Sequence, residues 1–264
     1  MSADALFGLD GRVAIVTGAG SGIGQATAWL LADLGAHVIA TDIDPDGLAA
    51  TGTRTTIKSL SHDVTSADDW AAVFAEANAQ GRLDILVNNA GVMLDGAFEG
   101  APVEALRRQY AINVEGPFLG MQGALPLMKR AIAEHNARPA IVNISSIFGQ
   151  VAGPNYAAYS ASKGAVKMLS KAVAAEVAAE GVRVNSVHPG PTATKLGAKH
   201  APMRDAEGLV MSLPQMVAFW RDRIPMKRGG VVGDVAPVIA FLCGDAAAYI
   251  TGAEIAVDGG YSAI

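Results

Sequence analysis

The sequence predicts an α/β protein built on a parallel sheet with helices packed on both faces. Short apolar runs rich in β-branched residues alternate with helix-like stretches along the chain. The first of these runs, Val13–Thr17, ends in a glycine-rich turn that opens a helix. Hydrophobic residues make up 51% of the 264 residues and charged residues 17%, which is enough apolar material for a large buried core. We therefore expect a doubly wound sheet.

The strands and helices are expected to follow one another in regular order. The runs that predict strands are Val13–Thr17, His37–Asp42, Ile57–Asp63, Asp84–Asn88, Ala140–Ser145, Val182–His188 and Ile255–Val257. Apolar residues at helical spacing follow the first strand and stop at Gly35, and Ser66 begins a second helix. Longer helices are predicted from Pro102 to about Lys129 and from about Tyr156 to Glu180. We see no linker or repeat, so a single domain over residues 1–264 is expected.

The overall charge and the cysteine content narrow the possible partners and location. The net charge of −5 argues against a nucleic acid or an anionic membrane as partner, because both attract concentrated positive charge. Cys243 is the one cysteine, so no internal disulfide can form, which fits a reducing compartment. Residues 1–11 lack the pattern of a signal peptide, and no apolar run reaches the length of about 18 residues that a membrane span needs. A cytoplasmic location is expected.

A turn rich in glycine joins the first predicted strand to the first helix. Backbone N–H groups and the positive end of the helix dipole meet there, and glycine lets a pyrophosphate approach the backbone. A tight turn without a ligand is the alternative, but the position between strand and helix favours a dinucleotide site. The candidate binding residues are Gly18, Ser21, Gly22, Ile23 and Gly24.

Asp42 lies at the end of the second predicted strand, 18 positions beyond Gly24 (42 − 24). A carboxylate there can accept hydrogen bonds from the adenosine ribose hydroxyls and would repel a 2′-phosphate. Neither residues 18–24 nor residues 40–44 contain a lysine or arginine that would offset the repulsion. NAD is therefore the expected cofactor, with an ordinary loop aspartate as the alternative.

Four motifs resemble those of the short-chain dehydrogenase/reductase family. The spacing Gly18-x3-Gly22-x-Gly24 resembles the family's TGxxxGxG turn, and residues 88–91 resemble its NNAG motif. Tyr159-x3-Lys163 resembles YxxxK, and residues 189–194 resemble PGxxxT. The resemblance extends from about Arg12 to Gly260 and covers nearly the whole chain. It implies a Rossmann-type parallel sheet of about seven strands, in agreement with the alternation of elements.

Tyr159 and Lys163 are four positions apart on a predicted helix and therefore share one face. A phenol has an ordinary pKa of about 10 and is a poor base at neutral pH. We expect the nearby ammonium to lower that pKa, so that Tyr159 can exchange a proton with an alcohol or a carbonyl. The resemblance implies that Lys163 also holds the nicotinamide ribose.

The resemblance also implies roles for Ser146 and Asn113. Ser146 lies 13 positions before Tyr159 (159 − 146), where the family has a serine that hydrogen-bonds the substrate oxygen. Ser145 is the alternative for that role. Asn113 falls where the family has an asparagine that carries a proton-relay water to the lysine, and a plain helix-interior asparagine is the alternative.

For the cofactor, the resemblance places Asp63 and Val64 against the adenine and Asn89 near the adenosine ribose. Thr192 and Thr194 are expected to hydrogen-bond the nicotinamide carboxamide. We interpret His188 as structural, because the tyrosine already provides the acid and base. No cluster of His, Cys, Asp or Glu has the spacing of metal ligands, so no metal is expected.

The stretch from about 191 to 225 breaks the alternation and is expected to be an excursion that covers the substrate. Apolar residues recur in it at helical spacing: Leu209, Leu213, Met216, Val217 and Trp220. The methionines Met203, Met211 and Met216 suit an adaptable apolar pocket, and Phe148 and Val151 would line its other side. An apolar cyclic or steroid-like substrate is predicted. Alternatively, the apolar face only packs on the protein, or one of Lys195, Lys199 and Arg221 pairs with a substrate carboxylate.

The predicted function is NAD(H)-dependent interconversion of a secondary alcohol and a ketone. A 3-oxoacyl-carrier-protein reductase is an alternative, although Asp42 and the net charge of −5 count against it. A second alternative is a regulatory protein that binds a nucleotide without catalysis. The presence of all four candidate catalytic residues argues against it. By analogy with the family we expect a homotetramer in which residues 258–264 pack against a neighbour.

Overall fold

The computed structural model describes residues 6–198 and 209–264, and these contain one sheet of seven parallel strands. The strands are β1 (Val13–Thr17), β2 (His37–Asp42), β3 (Ile57–Ser61), β4 (Ile85–Asn88), β5 (Ala140–Ile144), β6 (Arg183–Pro189) and β7 (Glu254–Val257). Their order across the sheet is β3-β2-β1-β4-β5-β6-β7. The predicted doubly wound sheet is confirmed. The strand ends differ from the prediction by one or two residues, which is the usual uncertainty at element ends.

Helices follow the strands and cover both faces of the sheet. They are α1 (Gly22–Asp33), α2 (Pro45–Thr51), α3 (Ala67–Ala79), α4 (Val103–Tyr110), α5 (Gly116–His135), α6 (Ala157–Val177), α7 (Lys195–Ala198), α8 (Leu213–Arg223) and α9 (Val232–Cys243). Among the residues that the structure describes, no helix is both long and apolar enough to cross a membrane.

The helix predicted from Pro102 to Lys129 is divided in two. A π-helical turn, Ala111–Glu115, separates α4 from α5. Pro117 has no N–H, so it cannot form the α-helical hydrogen bond to the carbonyl of Asn113, four residues earlier. The spacing of apolar residues does not depend on this hydrogen bond, so it predicts a continuous helix. The correction places Asn113 in a turn of irregular hydrogen bonding.

Two apolar clusters bury the two faces of the sheet. On one face, α1 and α9 pack on the strands, with Leu31, Ile239 and Leu242 fully buried. On the other face, α3, α5 and α6 contribute Trp70, Met121 and the rest of a second cluster. Strands that are buried on both faces read as continuous apolar runs, which is why periodicity located them well.

In the excursion between β6 and α9, the residues that the structure describes form two helices, α7 and α8. The helix predicted to include Leu209 begins only at Leu213. Ser212 sets this start, because its N–H and hydroxyl donate to the Gln215 side chain and Pro214 occupies the first turn. Met203 and Lys199, expected near the substrate, lie outside the described residues.

The strand order reverses between β1 and β4, which are neighbours in the sheet although two strands separate them in sequence. In open parallel sheets, ligands bind at the carboxyl ends of the strands beside such a reversal. The glycine turn follows β1 and the NNAG turn follows β4, so both lie at this edge.

Candidate active site

A cavity of about 540 Å³ opens at the carboxyl edge of the sheet. Its lining comes from the turns after β1, β4, β5 and β6 and from helices α6 and α8. The residues that line it include Ile23, Asn89, Met93, Ser146, Phe148, Tyr156, Tyr159, Lys163, Thr192, Thr194, Met216, Val217 and Trp220. Seven of the fifteen candidate catalytic and cofactor-binding residues line this cavity: Ile23, Asn89, Ser146, Tyr159, Lys163, Thr192 and Thr194. Two more, Ser21 and Gly22, line a second groove beside the glycine turn. The other six line neither: Gly18, Gly24, Asp42, Asp63, Val64 and Asn113.

Tyr159 is buried in the wall of this cavity. Burial raises the pKa of the phenol to about 12, and a hydrogen bond with the Ser146 side chain opposes that increase. The two hydroxyls that the sequence assigned to the substrate oxygen are thus within hydrogen-bonding reach of each other. Before any cofactor charge is considered, the phenol is protonated at neutral pH.

Lys163 lies one helical turn beyond Tyr159 and is also buried. Its Nζ atom donates a hydrogen bond to the carbonyl of Ile144 (2.8 Å) and lies 5.8 Å from the centroid of the Tyr159 ring. Desolvation lowers the pKa of the amine to about 8. The phenol and the amine have ordinary pKa values near 10, and the protein raises one and lowers the other. Strongly shifted pKa values of this kind are common at catalytic sites.

The neighbouring serines have different contacts. The Ser145 hydroxyl donates to the backbone carbonyl of Lys163 (2.8 Å), which holds α6 against β5. Both serines line the cavity. The Ser146 hydroxyl accepts from the N–H of Phe148 (3.1 Å) and hydrogen-bonds the Tyr159 side chain, whereas the Ser145 proton is used by the Lys163 carbonyl. The geometry therefore favours Ser146 over the alternative, Ser145, as the serine that meets a substrate.

His188 is fully buried beneath the same loop. One ring nitrogen, Nδ1, is 3.0 Å from the carbonyl oxygen of Ser146, and Nε2 is 2.9 Å from the Ser186 hydroxyl. Burial lowers the pKa of His188, so the ring is neutral. Its two contacts fit the structural role that the sequence suggested.

The Asn113 side chain is occupied by three hydrogen bonds. Its Oδ1 atom accepts from the N–H of Val92 (2.8 Å), and Nδ2 donates to the Val92 carbonyl (2.9 Å) and the Ser162 hydroxyl (3.0 Å). A Cβ atom placed on Gly91 would lie 3.2 Å from Asn113 Oδ1 and 3.4 Å from Lys163 Nζ, so both groups lie on the same side of Gly91. Both Nδ2 protons are used, so the Asn113 groups that can still accept a relay hydrogen bond are Oδ1 and the backbone carbonyl, to which Pro117 cannot donate.

The glycine turn has the form of a phosphate-binding site. Gly22 begins α1 with a positive φ of 59°, and a Cβ atom there would project toward Thr194, 3.4 Å from its Cγ2. A side chain at this position would fill the cleft between the turn and Thr194, where the backbone N–H groups at the start of α1 could meet a pyrophosphate. The residues present thus fit a dinucleotide.

Asp42 is held against this turn. Its Oδ2 atom accepts from the N–H of Gly20 (2.8 Å), and Oδ1 accepts from the N–H of Asp44 (3.0 Å). A carboxylate oxygen can accept further hydrogen bonds, so Asp42 keeps the capacity to receive ribose hydroxyls. The orientation of the carboxylate is fixed before a ligand arrives.

The remaining cofactor candidates lie at the expected edge. Asn89 donates from Nδ2 to the carbonyls of Thr17 (2.9 Å) and Gly18 (3.0 Å), which ties the NNAG turn to the glycine turn. Thr192 and Thr194 line the cavity. Asp63 is exposed and accepts from Thr65, whereas Val64 is buried.

The substrate side of the cavity is apolar and aromatic. Phe148 stacks on Tyr156 with ring centroids 4.9 Å apart, and it meets Tyr159 edge to face at 6.4 Å. Met216, Val217 and Trp220 of α8 also line the cavity, as expected. Val151, predicted as part of this wall, does not line the cavity. Sequence reasoning missed Tyr156, although its position one helical turn before Tyr159 was a usable signal.

The basic residues considered as partners for a substrate carboxylate lie elsewhere. Lys195 lines a separate open groove beside the glycine turn, together with Asp44 and Asp46. Arg221 pairs with Asp222 on the surface (3.3 Å). Within residues 6–198 and 209–264, Lys163 is the one cationic side chain in the cavity lining, and no cluster there could hold a metal ion.

Comparison with known proteins gives consistent results. Residues 18–262 match a family described as enoyl-(acyl carrier protein) reductase. The chain is 37% identical to trans-4-hydroxycyclohexanecarboxylate dehydrogenase of Sinomonas cyclohexanicum, covering 96% of this chain and 93% of that protein. It is 35% identical to an NADP-dependent (R)-specific alcohol dehydrogenase of Lentilactobacillus kefiri, covering 97% and 98%.

Among solved structures, the 3-ketoacyl-(acyl-carrier-protein) reductase of Brucella melitensis in complex with NADH is similar. It superposes with a TM-score of 0.87 at 33% identity, covering 96% of this chain and 99% of that one. The matched region includes the glycine turn, the NNAG turn and Tyr159 with Lys163. The chain belongs to the short-chain dehydrogenase/reductase family of oxidoreductases, whose members bind a nicotinamide cofactor.

Proposed function

We propose that this protein is an NAD(H)-dependent dehydrogenase that interconverts a secondary alcohol and a ketone. The observation that carries the proposal is that Tyr159, Ser146 and Lys163 meet in one cavity that apolar and aromatic side chains also line. When bound, the nicotinamide supplies the hydride acceptor or donor, and its oxidised ring adds a positive charge. The protein supplies orientation, exclusion of water and a path for the proton.

In the oxidation direction, Tyr159 Oη takes the hydroxyl proton of the alcohol while the hydride leaves the carbon, which becomes the ketone carbon. In reduction, the same oxygen returns the proton to the developing alkoxide. The Ser146 hydroxyl hydrogen-bonds the substrate oxygen and stabilises that charge. A phenol whose pKa is raised to about 12 by burial is ready to act as the acid, and it requires a nearby positive charge before it can act as the base.

Lys163 and Asn113 would complete the path of the proton. The Lys163 ammonium is close enough to orient the cofactor ribose beside Tyr159. The Asn113 side chain and Lys163 Nζ lie on the same side of Gly91, and Pro117 cannot donate to the backbone carbonyl of Asn113. We infer that this carbonyl accepts the relay hydrogen bond that the family resemblance assigns to the residue.

The choice of NAD over NADP rests on Asp42. The relatives differ in this respect, since one is named as NADP-dependent and the reductase was solved with NADH. In this chain the Asp42 carboxylate is oriented by two backbone N–H groups, and a 2′-phosphate would meet its negative charge. Lys195 lines the neighbouring groove with Asp44 and Asp46, whose charges oppose its effect on an anion.

The substrate that fits the cavity best is an uncharged ring compound. Phe148 and Tyr156 give a flat aromatic wall, and Met216 and Trp220 of α8 also line the cavity. One relative is named for a substrate that is a cyclohexane ring with a carboxylate. The described cavity lining of this chain provides no cation for a carboxylate besides Lys163, which the cofactor would use, so we infer a ring without the acid group.

A second candidate is reduction of 3-oxoacyl groups on a carrier protein, which the similarity to the Brucella melitensis reductase favours. An NADH absorbance assay separates the two. We expect oxidation of cyclic secondary alcohols with NAD and little reduction of acetoacetyl-carrier protein with NADH or NADPH. Carrier-linked activity above that with cyclic ketones would favour the second candidate. Loss of all activity in Tyr159→Phe would tie the measured turnover to this site.

A further inference from the structure

The turn of residues 258–263 is a stiff element next to the cavity. The Asp258 carboxylate accepts from the N–H of Gly260 (2.9 Å) and from both the N–H (2.8 Å) and the hydroxyl (2.6 Å) of Ser262. Burial raises the pKa of Asp258, but these hydrogen bonds outweigh burial and the net pKa is lowered. Asp258 is therefore ionised at neutral pH and holds the turn in one conformation.

This turn bridges two parts of the candidate site. Toward the PGxxxT motif, Gly190 donates its N–H to Val257 (2.9 Å), and a Cβ atom on Gly190 would lie 2.8 Å from Asp258 Cα. Toward α8, the carbonyl of Gly259 accepts from the N–H of Met226 (3.1 Å) just past the end of the helix. Motion of α8 relative to the PGxxxT motif is therefore limited by the turn between them.

One side chain of the turn, Tyr261, contacts a residue that lines the cavity. The ring of Tyr261 lies 6.0 Å from that of Trp220, tilted by 56°. Trp220 lines the cavity, whereas Tyr261 does not. Tyr261 thus contacts Trp220 without itself lining the cavity.

We propose that Tyr261 is a positioning residue that fixes Trp220 as the apolar wall of the substrate pocket and thereby sets the fit of a ring substrate. The part that concerns substrate rests on the function proposed above, and the part that concerns Trp220 does not. In the described part of the chain the Trp220 ring has two aromatic neighbours, Phe219 and Tyr261, so loss of the Tyr261 ring removes one of the two aromatic contacts that hold it.

Tryptophan fluorescence tests the position of Trp220 without any turnover. The chain has three tryptophans, so the signal of Trp220 is the difference between a protein and its Trp220→Phe counterpart. We expect Tyr261→Ala to increase acrylamide quenching of this signal at least about twofold, since an aromatic neighbour that shields it is gone. Tyr261→Phe keeps the ring and should restore the parental value. Tyr249→Ala, which removes a fully exposed tyrosine, is the matched control.

Steady-state kinetics test the consequence for substrate. Tyr261→Ala should raise KM for a cyclic alcohol about two- to tenfold, the loss expected for an aromatic contact, with kcat and the Kd of NADH near the parental values. KM for a small open-chain alcohol should change less. Parental quenching, or increased quenching with an unchanged KM for the ring substrate, would overturn the proposal. If the parent oxidises no cyclic alcohol, the proposed function fails, and the quenching result alone decides whether Tyr261 positions Trp220.

Discussion

The Nζ atom of Lys163 lies 5.8 Å from the centroid of the Tyr159 ring. The sequence predicts that this ammonium lowers the pKa of the phenol, but burial dominates and raises it to about 12. The lysine is itself desolvated, and its hydrogen bond goes to Ile144. We infer that the pair becomes an efficient base only when the oxidised cofactor adds its positive charge.

Tyr159→Phe should abolish turnover while leaving cofactor binding nearly intact. The ring still fills its buried position, but the proton donor is gone, and general acid–base catalysis contributes about 10²–10⁴-fold. Initial rates followed by NADH absorbance measure the loss of turnover, and a fluorescence titration that gives the Kd of NADH measures cofactor binding. A variant that kept a tenth of the parental activity would show that Tyr159 is not the proton donor.

Lys163→Met should make the protein more stable at pH 7 although it removes activity. Burial lowers the pKa of Lys163 from 10.5 to about 8, so the folded protein releases this proton at lower pH than the unfolded chain does. Below pH 8 the folded state carries the full cost of the buried charge, and this cost disappears as pH rises to 10.5. We expect a gain of about 1–3 kcal/mol in the free energy of unfolding at pH 7.

Denaturant unfolding at several pH values measures this effect. The part of the stability that increases between pH 8 and 10.5 in the parent should be absent in Lys163→Met. Lys167→Met, one helical turn further along α6 at a more exposed site, should show no gain at pH 7. A less stable Lys163→Met protein at pH 7 would mean that the hydrogen bond to Ile144 outweighs desolvation.

The parent should prefer NAD over NADP by at least about tenfold in kcat/KM, which corresponds to about 1.4 kcal/mol. Asp42→Asn removes the charge but keeps an oxygen for the N–H of Gly20, so it should narrow the preference. Asp42→Arg should narrow it further or reverse it. Lys195→Ala should change it little. Equal efficiency of the parent with both cofactors would refute the role of Asp42.

Pro117→Ala should lower kcat with little effect on the Kd of NADH. Alanine supplies an N–H that can bond the carbonyl of Asn113 and compete with the proton relay. The expected loss is about two- to tenfold, the effect of one hydrogen bond. Pro126→Ala, which replaces another proline within α5, is the matched control and should keep the parental kcat. An unchanged kcat in Pro117→Ala would exclude the carbonyl from the relay.

The sequence predicted the sheet well because β1, β4, β5 and β6 are buried on both faces and the turns that follow the strands carry motifs. The sequence also predicted that Ser146, Tyr159 and Lys163 lie close together. This was possible because Tyr159 and Lys163 are one turn apart on the same helix and Ser146 lies in the loop that precedes this helix. The π-helical turn at Ala111–Glu115 was missed, because it follows from a missing N–H at Pro117 and not from apolar periodicity.

Contacts between residues that are distant in sequence could not be predicted either. Nothing in the sequence indicates that Tyr261 packs on Trp220 or that Tyr156 stacks on Phe148. Likewise, the direction of the Tyr159 pKa shift depends on how deeply the phenol is buried, which spacing alone does not determine. These features arise from tertiary packing around the cavity.

The central claim is that Tyr159 and its neighbours oxidise an uncharged ring alcohol with NAD. The most direct measurement compares 4-methylcyclohexanol with 4-hydroxycyclohexanecarboxylate, which have similar shape and differ in charge, alongside an open-chain sugar alcohol. We predict that kcat/KM with NAD is higher for 4-methylcyclohexanol than for either of the others, because the described cavity lining has an aromatic and aliphatic wall and no free cation for a carboxylate. Higher kcat/KM for the carboxylate or the sugar alcohol would contradict the account.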